Sequence, residues 1–104
     1  MNQKPVYLFA KWKVKEGQLD IILKLLPELA EKSRTEKGNL FYKIHQSNSD
    51  EHTLMLYEGY EDASAVEAHR NSDHFQNLVL SKIVPNLESR EAILASELNI
   101  WSMK

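Results

Sequence analysis

The sequence predicts an α+β fold in which two helices cover one face of a four-stranded antiparallel sheet. Three observations support this prediction: four segments are rich in strand-forming apolar residues, two others carry apolar residues at helical spacing, and the segments follow one another in the order β-α-β-β-α-β. This order is typical of the ferredoxin-like arrangement. We expect residues 1–104 to form a single domain, because no linker, repeat or low-complexity stretch interrupts them.

Residues 6–14 are rich in β-branched and aromatic side chains and predict the first strand. Its even-numbered positions form one apolar face, made of Val6, Leu8, Ala10, Trp12 and Val14. The opposite face carries Tyr7 and Phe9, although a strand with one solvated face is normally polar on that side. We therefore expect both faces of this strand to be covered.

Apolar residues at helical spacing predict the first helix over residues 18–35, after Gly17 breaks the strand. Gly38 is expected to end this helix, because glycine readily adopts the left-handed conformation found just past helix C-termini. Pro27 lies inside the helix and lacks the N–H that would bond to residue 23, so we expect a kink there.

Two apolar segments separated by a polar turn predict a hairpin with strands over residues 40–46 and 53–60. On the second strand Leu54, Leu56, Glu58 and Tyr60 share one face. Both faces of this strand are again mostly apolar, so the hairpin is expected to lie within a sheet that is covered on both sides.

The last third of the chain predicts a short helix over residues 62–70, with Asp62 as its N-cap. A second helical segment carries Phe75, Leu78, Val79 and Ile83 and is expected to end near Pro85. Alternation over residues 90–101 predicts the final strand, whose inner face would carry Ala92, Leu94, Leu98 and Ile100.

Large apolar side chains on the outer face of the predicted sheet indicate an interface. They are Tyr7, Phe9, Phe41, Met55, Tyr57 and Trp101. The two helices cover only the inner face, and an exposed apolar patch of this size usually marks a binding surface. We therefore expect a homodimer in which two sheets pack face to face.

Composition excludes several classes of protein. The chain has no cysteine, which excludes a disulfide scaffold, a cysteine zinc site and a catalytic thiol. Thirteen Lys and Arg residues against fifteen Asp and Glu residues leave a net charge of −2, so neither nucleic acid nor an acidic membrane is an expected partner. The first residues lack the apolar region of a signal peptide and no apolar run is long enough to span a membrane, so we expect a cytoplasmic protein.

The four histidines do not form a recognised metal-binding pattern. His69 and His74 are five residues apart across a break, whereas His45 and His52 flank the hairpin turn. Without a ligand spacing, no metal site is expected.

Glu58 and His69 are the best candidates for proton transfer. Glu58 alternates with apolar residues, so it should be buried, where desolvation raises its pKa. His69 and Ala65 share the helix side that faces the sheet, so a Glu58–His69 contact is possible and would orient the imidazole as a base. The competing interpretation is structural: the two groups satisfy each other as buried polar side chains.

Three aromatic residues on the strands, Trp12, Tyr42 and Tyr60, have two possible roles. Such residues usually fill a core. If the space between helices and sheet is open, they line an apolar cavity suited to a flat aromatic molecule. His74 and Arg70, near the helix break, are expected at the surface or at the rim of this cavity.

The sequence resembles the antibiotic biosynthesis monooxygenase (ABM) domain family, including its quinol monooxygenase-like members. The resemblance spans residues 6–91. It rests on the order and spacing of several motifs and not on any single one of them. The motifs are Trp12-Lys13-Val14-Lys15-Glu16-Gly17, Ser33-Arg34-Thr35-Glu36-Lys37-Gly38-Asn39-Leu40, Tyr42-Lys43-Ile44-His45-Gln46, and Tyr57-Glu58-Gly59-Tyr60 followed by Ala65, His69, Ser72 and His74-Phe75.

The resemblance implies a dimeric α+β barrel and O₂ chemistry without flavin, haem or metal. In such enzymes a dry pocket binds a phenol or hydroquinone, a base removes a proton, and the electron-rich anion reduces O₂. On this hypothesis His69 is the base or the group that orients the substrate, and Glu58 is its partner. The substrate-binding residues would be Tyr60, Trp12 and Tyr42 as cavity wall, Phe75 as an apolar lid, and His74.

Other functions in the family remain open alternatives. Haem-degrading relatives use an Asn, a Trp and a His; here the Trp position falls on Tyr60 and the His position on Val79, so that set is absent. An isomerase or related enzyme acting on a small phosphorylated metabolite is a second hypothesis, with Arg70, Lys43 and Arg90 as loose phosphate-binding candidates. A dimeric small-molecule-binding module without catalysis is the third.

Overall fold

The computed structural model describes residues 4–102, and it contains four strands in one antiparallel sheet. The elements in chain order are β1 (Val6–Val14), α1 (Leu19–Arg34), β2 (Asn39–Gln46), β3 (Thr53–Tyr60), α2 (Ala63–Arg70), a π-helix (Phe75–Ile83), a 3₁₀ turn (Val84–Asn86), β4 (Leu87–Ala95) and a second 3₁₀ turn (Ile100–Ser102). The strand order is β2-β3-β1-β4. The predicted ferredoxin-like βαββαβ fold is confirmed.

Strand register determines which side chains face the helices. Leu8 of β1 pairs with Glu58 of β3, and Trp12 pairs with Arg90 of β4. Directly paired residues of antiparallel strands point to the same face of the sheet. The inner face therefore carries Glu58 and Arg90 together with the apolar core, whose strand members include Ala10, Trp12, Val14, Tyr42, Leu54 and Leu56.

Helix α1 packs its apolar side on the sheet and buries Ile22, Leu29 and Ser33. It runs without interruption through Pro27. It ends one residue earlier than predicted, at Arg34, where the backbone N–H of Thr35 donates to the carbonyl of Lys32 and the N–H of Glu36 donates to the carbonyl of Ser33.

Gly38 has a different role from the one predicted. Gly17 is the only glycine of the chain with a positive φ, so Gly38 is not the left-handed residue that ends α1. A Cβ atom at Gly38 would clash with the Cβ atom of Ala65 on α2. Glycine is therefore required there because the backbone before β2 passes directly against α2.

The N-cap prediction for α2 is confirmed. Asp62 has an extended backbone, and its Oδ1 accepts a hydrogen bond from the N–H of Ala65 at 2.9 Å. This bond satisfies one of the free donors of the first turn. The cap fixes where α2 begins and therefore which residues of its last turn face the sheet.

The second helical segment is a π-helix over Phe75–Ile83, which buries Leu78, Val79 and Ile83 and ends before Pro85. Its first residue is tied to the preceding turn, because Oγ of Ser72 accepts from the N–H of Phe75 at 3.2 Å. A helix was predicted here, but its π-type hydrogen bonding, from residue i to residue i+5, was not. That pattern is rare, and the spacing of apolar residues does not distinguish it from an α-helix.

The predicted limits of the last strand are wrong at both ends. Strand β4 pairs with β1 from Val14–Leu87 to Tyr7–Ala95, and β1 begins at Val6, so at most one further β1 residue could pair beyond Ala95. Leu98 and Ile100 consequently do not share a strand face with Ala92 and Leu94. They lie outside the sheet and are more than half exposed.

The outer face of the sheet is apolar and exposed. Four aromatic rings contact one another there, with Phe9 stacked on Tyr57 at 4.8 Å between ring centroids and Tyr57 against Phe41 at 4.7 Å; Tyr7 completes the group. Phe9, Met55 and Ile93 are 48, 46 and 60% exposed. Trp101, which we expected on this face, lies in the terminal 3₁₀ turn instead.

Within residues 4–102, none of the helices combines the length and the apolar character needed to cross a membrane.

Candidate functional site

Glu58 is a buried carboxyl group in the middle of the sheet. Its position on β3 places it on the inner face between Leu56 and Tyr60, and its exposed fraction is 2%. Burial raises its pKa to about 7. The hydroxyl of Tyr60 donates to Oε1 of Glu58 at 2.5 Å, which favours the charged form and limits that rise. Near neutral pH this carboxyl group can therefore both accept and release a proton.

His69 lies in the last turn of α2 and faces the same space. Its side chain is 3% exposed, and this burial lowers its pKa. Nδ1 lies 2.6 Å from Oε2 of Glu36, and Nε2 lies 3.8 Å from Oε1 of Glu58. Because the Glu36 carboxylate accepts, we assign the hydrogen to Nδ1, so Nε2 of the neutral ring carries the lone pair. The imidazole is thus oriented with its basic nitrogen toward Glu58.

The predicted Glu58–His69 pair is therefore close but is not the main hydrogen bond of either residue. Tyr60 is the donor to Glu58, and Glu36 is the acceptor for His69. At 3.8 Å the two groups are too far apart for a direct hydrogen bond.

Glu36 was not among the predicted site residues. It lies in the turn between α1 and β2, 33 positions before His69 in the chain, and its Oε2 also accepts from Nε2 of His74 at 2.5 Å. No local spacing links a turn carboxylate to a histidine on a later helix. Its only signal was its place within the Ser33–Leu40 motif that carries the family resemblance.

A cavity of about 510 Å³ separates the sheet from α2 and the π-helix, which is within the range of small-molecule sites. Trp12, Tyr42, Tyr60 and Phe75 line it with Glu58 and His69. Phe75 meets the His69 ring edge-on, with ring centroids 5.2 Å apart. The sequence had left open whether Trp12, Tyr42 and Tyr60 fill a core or border a cavity; the three residues are buried, Trp12 and Tyr42 within the core, and all three also border the cavity.

His74 is placed differently from the other predicted site residues. It does not line the cavity, and its ring contacts His69 and the carboxylate of Glu36. Its place in the fold is therefore beside the Glu36–His69 pair and not on the cavity wall.

Two phenol groups in the cavity remain protonated over the ordinary pH range. Burial raises the pKa of Tyr60 and of Tyr42, and the nearby Glu58 raises both further. Tyr60 directs its hydrogen at Glu58, and the hydroxyl of Tyr42 lies beside Ser33. Both can therefore act as hydrogen-bond donors and not as bases.

Two arginines lie at the open side of the cavity. Arg70 follows His69 at the end of α2, and Arg90 projects from β4; both side chains are exposed. They face a cavity whose inner wall is mostly apolar, and Glu67 and Glu91 also line it. The charged side chains that line the cavity are thus concentrated at its solvent-exposed opening.

Comparison with known proteins agrees with this architecture. The family profile described as antibiotic biosynthesis monooxygenase matches residues 5–79. The chain is 31% identical over 74 residues to "Putative monooxygenase YcnE" of Bacillus subtilis (strain 168), which covers 71% of this chain and 78% of that protein.

Solved structures show the same fold. PA3566 from Pseudomonas aeruginosa superimposes with a TM-score of 0.85 at 28% identity, covering 94% of this chain and 97% of that one. A conserved protein from Methanosarcina mazei Go1 gives a TM-score of 0.86 at 22% identity, with 92 and 95% of the two chains covered. The profile match extends over most of the chain, and this chain therefore belongs to the antibiotic biosynthesis monooxygenase family.

Proposed function

We propose that this protein is a cofactor-independent monooxygenase that oxidises a quinol-like or polyphenolic aromatic compound with O₂. The observation that carries the proposal is the cavity between sheet and helices, because its wall combines aromatic side chains with a buried imidazole and a carboxyl group whose pKa is about 7. An aromatic substrate fits between Trp12, Tyr42 and Phe75 and brings a hydroxyl group toward His69.

His69 is the proposed base. Its lowered pKa keeps the ring neutral at pH 7, and its Nε2 faces the cavity side on which Glu58 lies. When Nε2 takes the phenolic proton, the Glu36 carboxylate on Nδ1 stabilises the resulting imidazolium. Glu58, with a pKa of about 7, then exchanges that proton.

The substrate anion supplies the electrons for the reaction. For a hydroquinone, one oxygen atom enters a ring C–H position, the other leaves as water, and the product is a hydroxyquinone. The substrate gives up four electrons and O₂ takes up four, so no external reductant is required. The protein contributes a mostly apolar cavity wall and the hydroxyl of Tyr42, a donor that can stabilise a developing oxyanion, whereas the hydroxyl hydrogen of Tyr60 is held by Glu58.

The test is oxygen consumption by the wild-type protein and by His69→Ala with a panel of hydroquinones and polyphenols. We expect turnover by the wild type and a loss of at least about 100-fold in the variant, as for removal of a general base. His52→Ala, which changes a histidine outside the cavity, is the matched control and should retain activity. Equal rates for wild type and His69→Ala would remove His69 from the mechanism.

We also propose that the protein works as a homodimer joined through the outer face of the sheet. The support is the aromatic cluster on that face and the exposure of Phe9, Met55 and Ile93. The Cα radius of gyration is 14.8 Å, above the roughly 13 Å typical of a compact chain of this length, as expected for a thin layer that lacks its second cover. Light scattering at micromolar concentration should give twice the chain mass; a monomer would contradict this proposal.

A second candidate function is isomerisation of a small phosphorylated metabolite. Arg70 and Arg90 favour it, because both line the cavity and arginine binds phosphate by paired hydrogen bonds. Adding a sugar phosphate and a hydroquinone in separate binding titrations discriminates the candidates. Binding of only the sugar phosphate, with loss in Arg90→Gln, would favour the isomerase.

A further inference from the structure

Three side chains converge behind the cavity, and the proposed general-base mechanism uses Glu36 and His69 but has no role for the third, His74. Nδ1 of His69 and Nε2 of His74 lie 2.6 and 2.5 Å from the same atom, Oε2 of Glu36. A ligand atom of each residue lies within 4.8 Å of the other two. We propose that Glu36, His69 and His74 form a binding site for a divalent transition-metal ion of the zinc type.

The donor set fits such an ion. Two imidazole nitrogens and one carboxylate oxygen are ligands that Zn²⁺ commonly uses, and three protein ligands leave a fourth position for water. The side chains of Glu36 and His74 keep 15 and 12% of their surface exposed, so an ion and its water can reach the site from solvent. The ligands come from three parts of the fold: the turn after α1, the end of α2 and the residue before the π-helix.

Only a small rearrangement is needed for coordination. In a tetrahedral zinc site the ligand atoms lie about 3.4 Å from one another, so the Glu36 carboxylate must withdraw by about 1 Å. Oε1 of Glu36 is buried and has no hydrogen-bond partner among the described residues. Turning the carboxylate exchanges the two hydrogen bonds at Oε2 for bonds from both histidines to the ion, and coordination through Oε1 would satisfy that atom.

The opposite side of His69 also suits a metal ligand. Metal-bound histidines usually direct their second ring nitrogen at a carboxylate or carbonyl group. Nε2 of His69 lies 3.8 Å from Oε1 of Glu58. Coordination through Nδ1 moves the ring hydrogen to Nε2, where it points toward Glu58 and occupies the lone pair of the proposed base. Zinc should therefore inhibit oxygen consumption. Of the consequences of zinc binding, only this one rests on the proposed function.

Metal binding is tested independently of activity. Tag-free protein treated with a chelator is titrated with Zn²⁺ by calorimetry, and we expect one equivalent to bind. Glu36→Gln and His74→Gln should each weaken binding at least about tenfold, because each removes a ligand. His52→Gln, a histidine change outside the cluster, is the matched control and should bind like the wild type. Circular dichroism of each variant confirms that it is folded.

Cobalt provides a second readout. Co²⁺ in the same site should give the visible absorption of a four-coordinate ion, and Glu36→Gln should abolish it. Absence of stoichiometric zinc binding to the wild type, or equal affinity in wild type, Glu36→Gln and His74→Gln, would overturn the proposal. Either result leaves the proposed oxygenase activity untouched, since that is measured without added metal.

Discussion

The hydroxyl of Tyr60 donates a hydrogen bond of 2.5 Å to Oε1 of Glu58, two residues earlier on the same face of β3. The two side chains are 0 and 2% exposed, so water competes little for this bond. The bond opposes the effect of burial on Glu58 and keeps its pKa at about 7. A neighbouring residue on the same strand thus lowers the pKa of a carboxyl group whose burial the sequence predicted.

Tyr60→Phe should raise the pKa of Glu58 above 7. The phenylalanine keeps the ring but removes the donor that stabilises the carboxylate, leaving burial unopposed. Carbon NMR of the Glu58 carboxyl group across a pH titration measures the shift. Tyr57→Phe, on the outer face of the same strand, is the control and should leave the titration unchanged; an unchanged midpoint in Tyr60→Phe would contradict the role of this bond.

Glu58 should also make the protein less stable as pH rises. Its folded-state pKa, about 7, lies above the ordinary value of 4.5, so the folded state binds more protons between these values. The stabilisation is fully present below about pH 4.5 and is lost as pH rises through 7. Relative to Glu58→Gln, the wild type should lose about 3 kcal/mol of unfolding free energy between pH 4.5 and 8. Urea unfolding at both pH values measures this difference, and parallel pH dependence in both proteins would refute it.

Glu36→Gln tests the positioning of the proposed base. The variant loses a charge-assisted hydrogen bond to Nδ1, worth about 1.5–3 kcal/mol, so kcat should fall about 10- to 100-fold. Because Glu36 raises the pKa of His69 against the effect of burial, the variant should have a lower His69 pKa, and the low-pH limb of the rate profile should move to lower pH. Glu31→Gln, an exposed change on α1, is the control. A rate loss without a shift in the pH profile would indicate a structural role only.

Gly38→Ala should destabilise the protein by about 1–3 kcal/mol, since the new Cβ overlaps the Cβ of Ala65 and pushes α2 away from the turn. Chemical denaturation measures the loss. Ala65→Gly removes the opposing Cβ atom. Introducing Gly38→Ala into the Ala65→Gly background should therefore lower the free energy of unfolding by less than it does in the wild type. Additive losses in the double variant would show that the contact is not the cause.

Ile93→Lys should dissociate the proposed homodimer. Ile93 pairs with Phe9 on the outer face of the sheet, where a lysine would place an unpaired charge inside the interface. Sedimentation velocity should show a monomer for this variant. Ile21→Lys makes the same change at an exposed position of α1 and should leave the dimer intact. A dimer in both variants would place the interface elsewhere.

Much of the fold followed from local pattern. The alternation on β1 and β3, the helical spacing of α1 and the Asp62 cap each depend on residues close in sequence, and all were predicted within one or two positions. The limits of β4 were not predictable in this way, because its first residue pairs with the end of β1 and its last residue pairs near the start of β1.

The sequence by itself determined the strand faces, and with them the burial of Glu58 and the apolar outer surface, because side-chain direction alternates strictly along a strand. Only the tertiary structure decided that Glu36 and not Glu58 holds His69, that His74 joins the same carboxylate, and that the aromatics surround an open cavity. Those contacts join residues more than 30 positions apart, so their distances depend on how α1, α2 and the sheet pack. No spacing within any one segment encodes them.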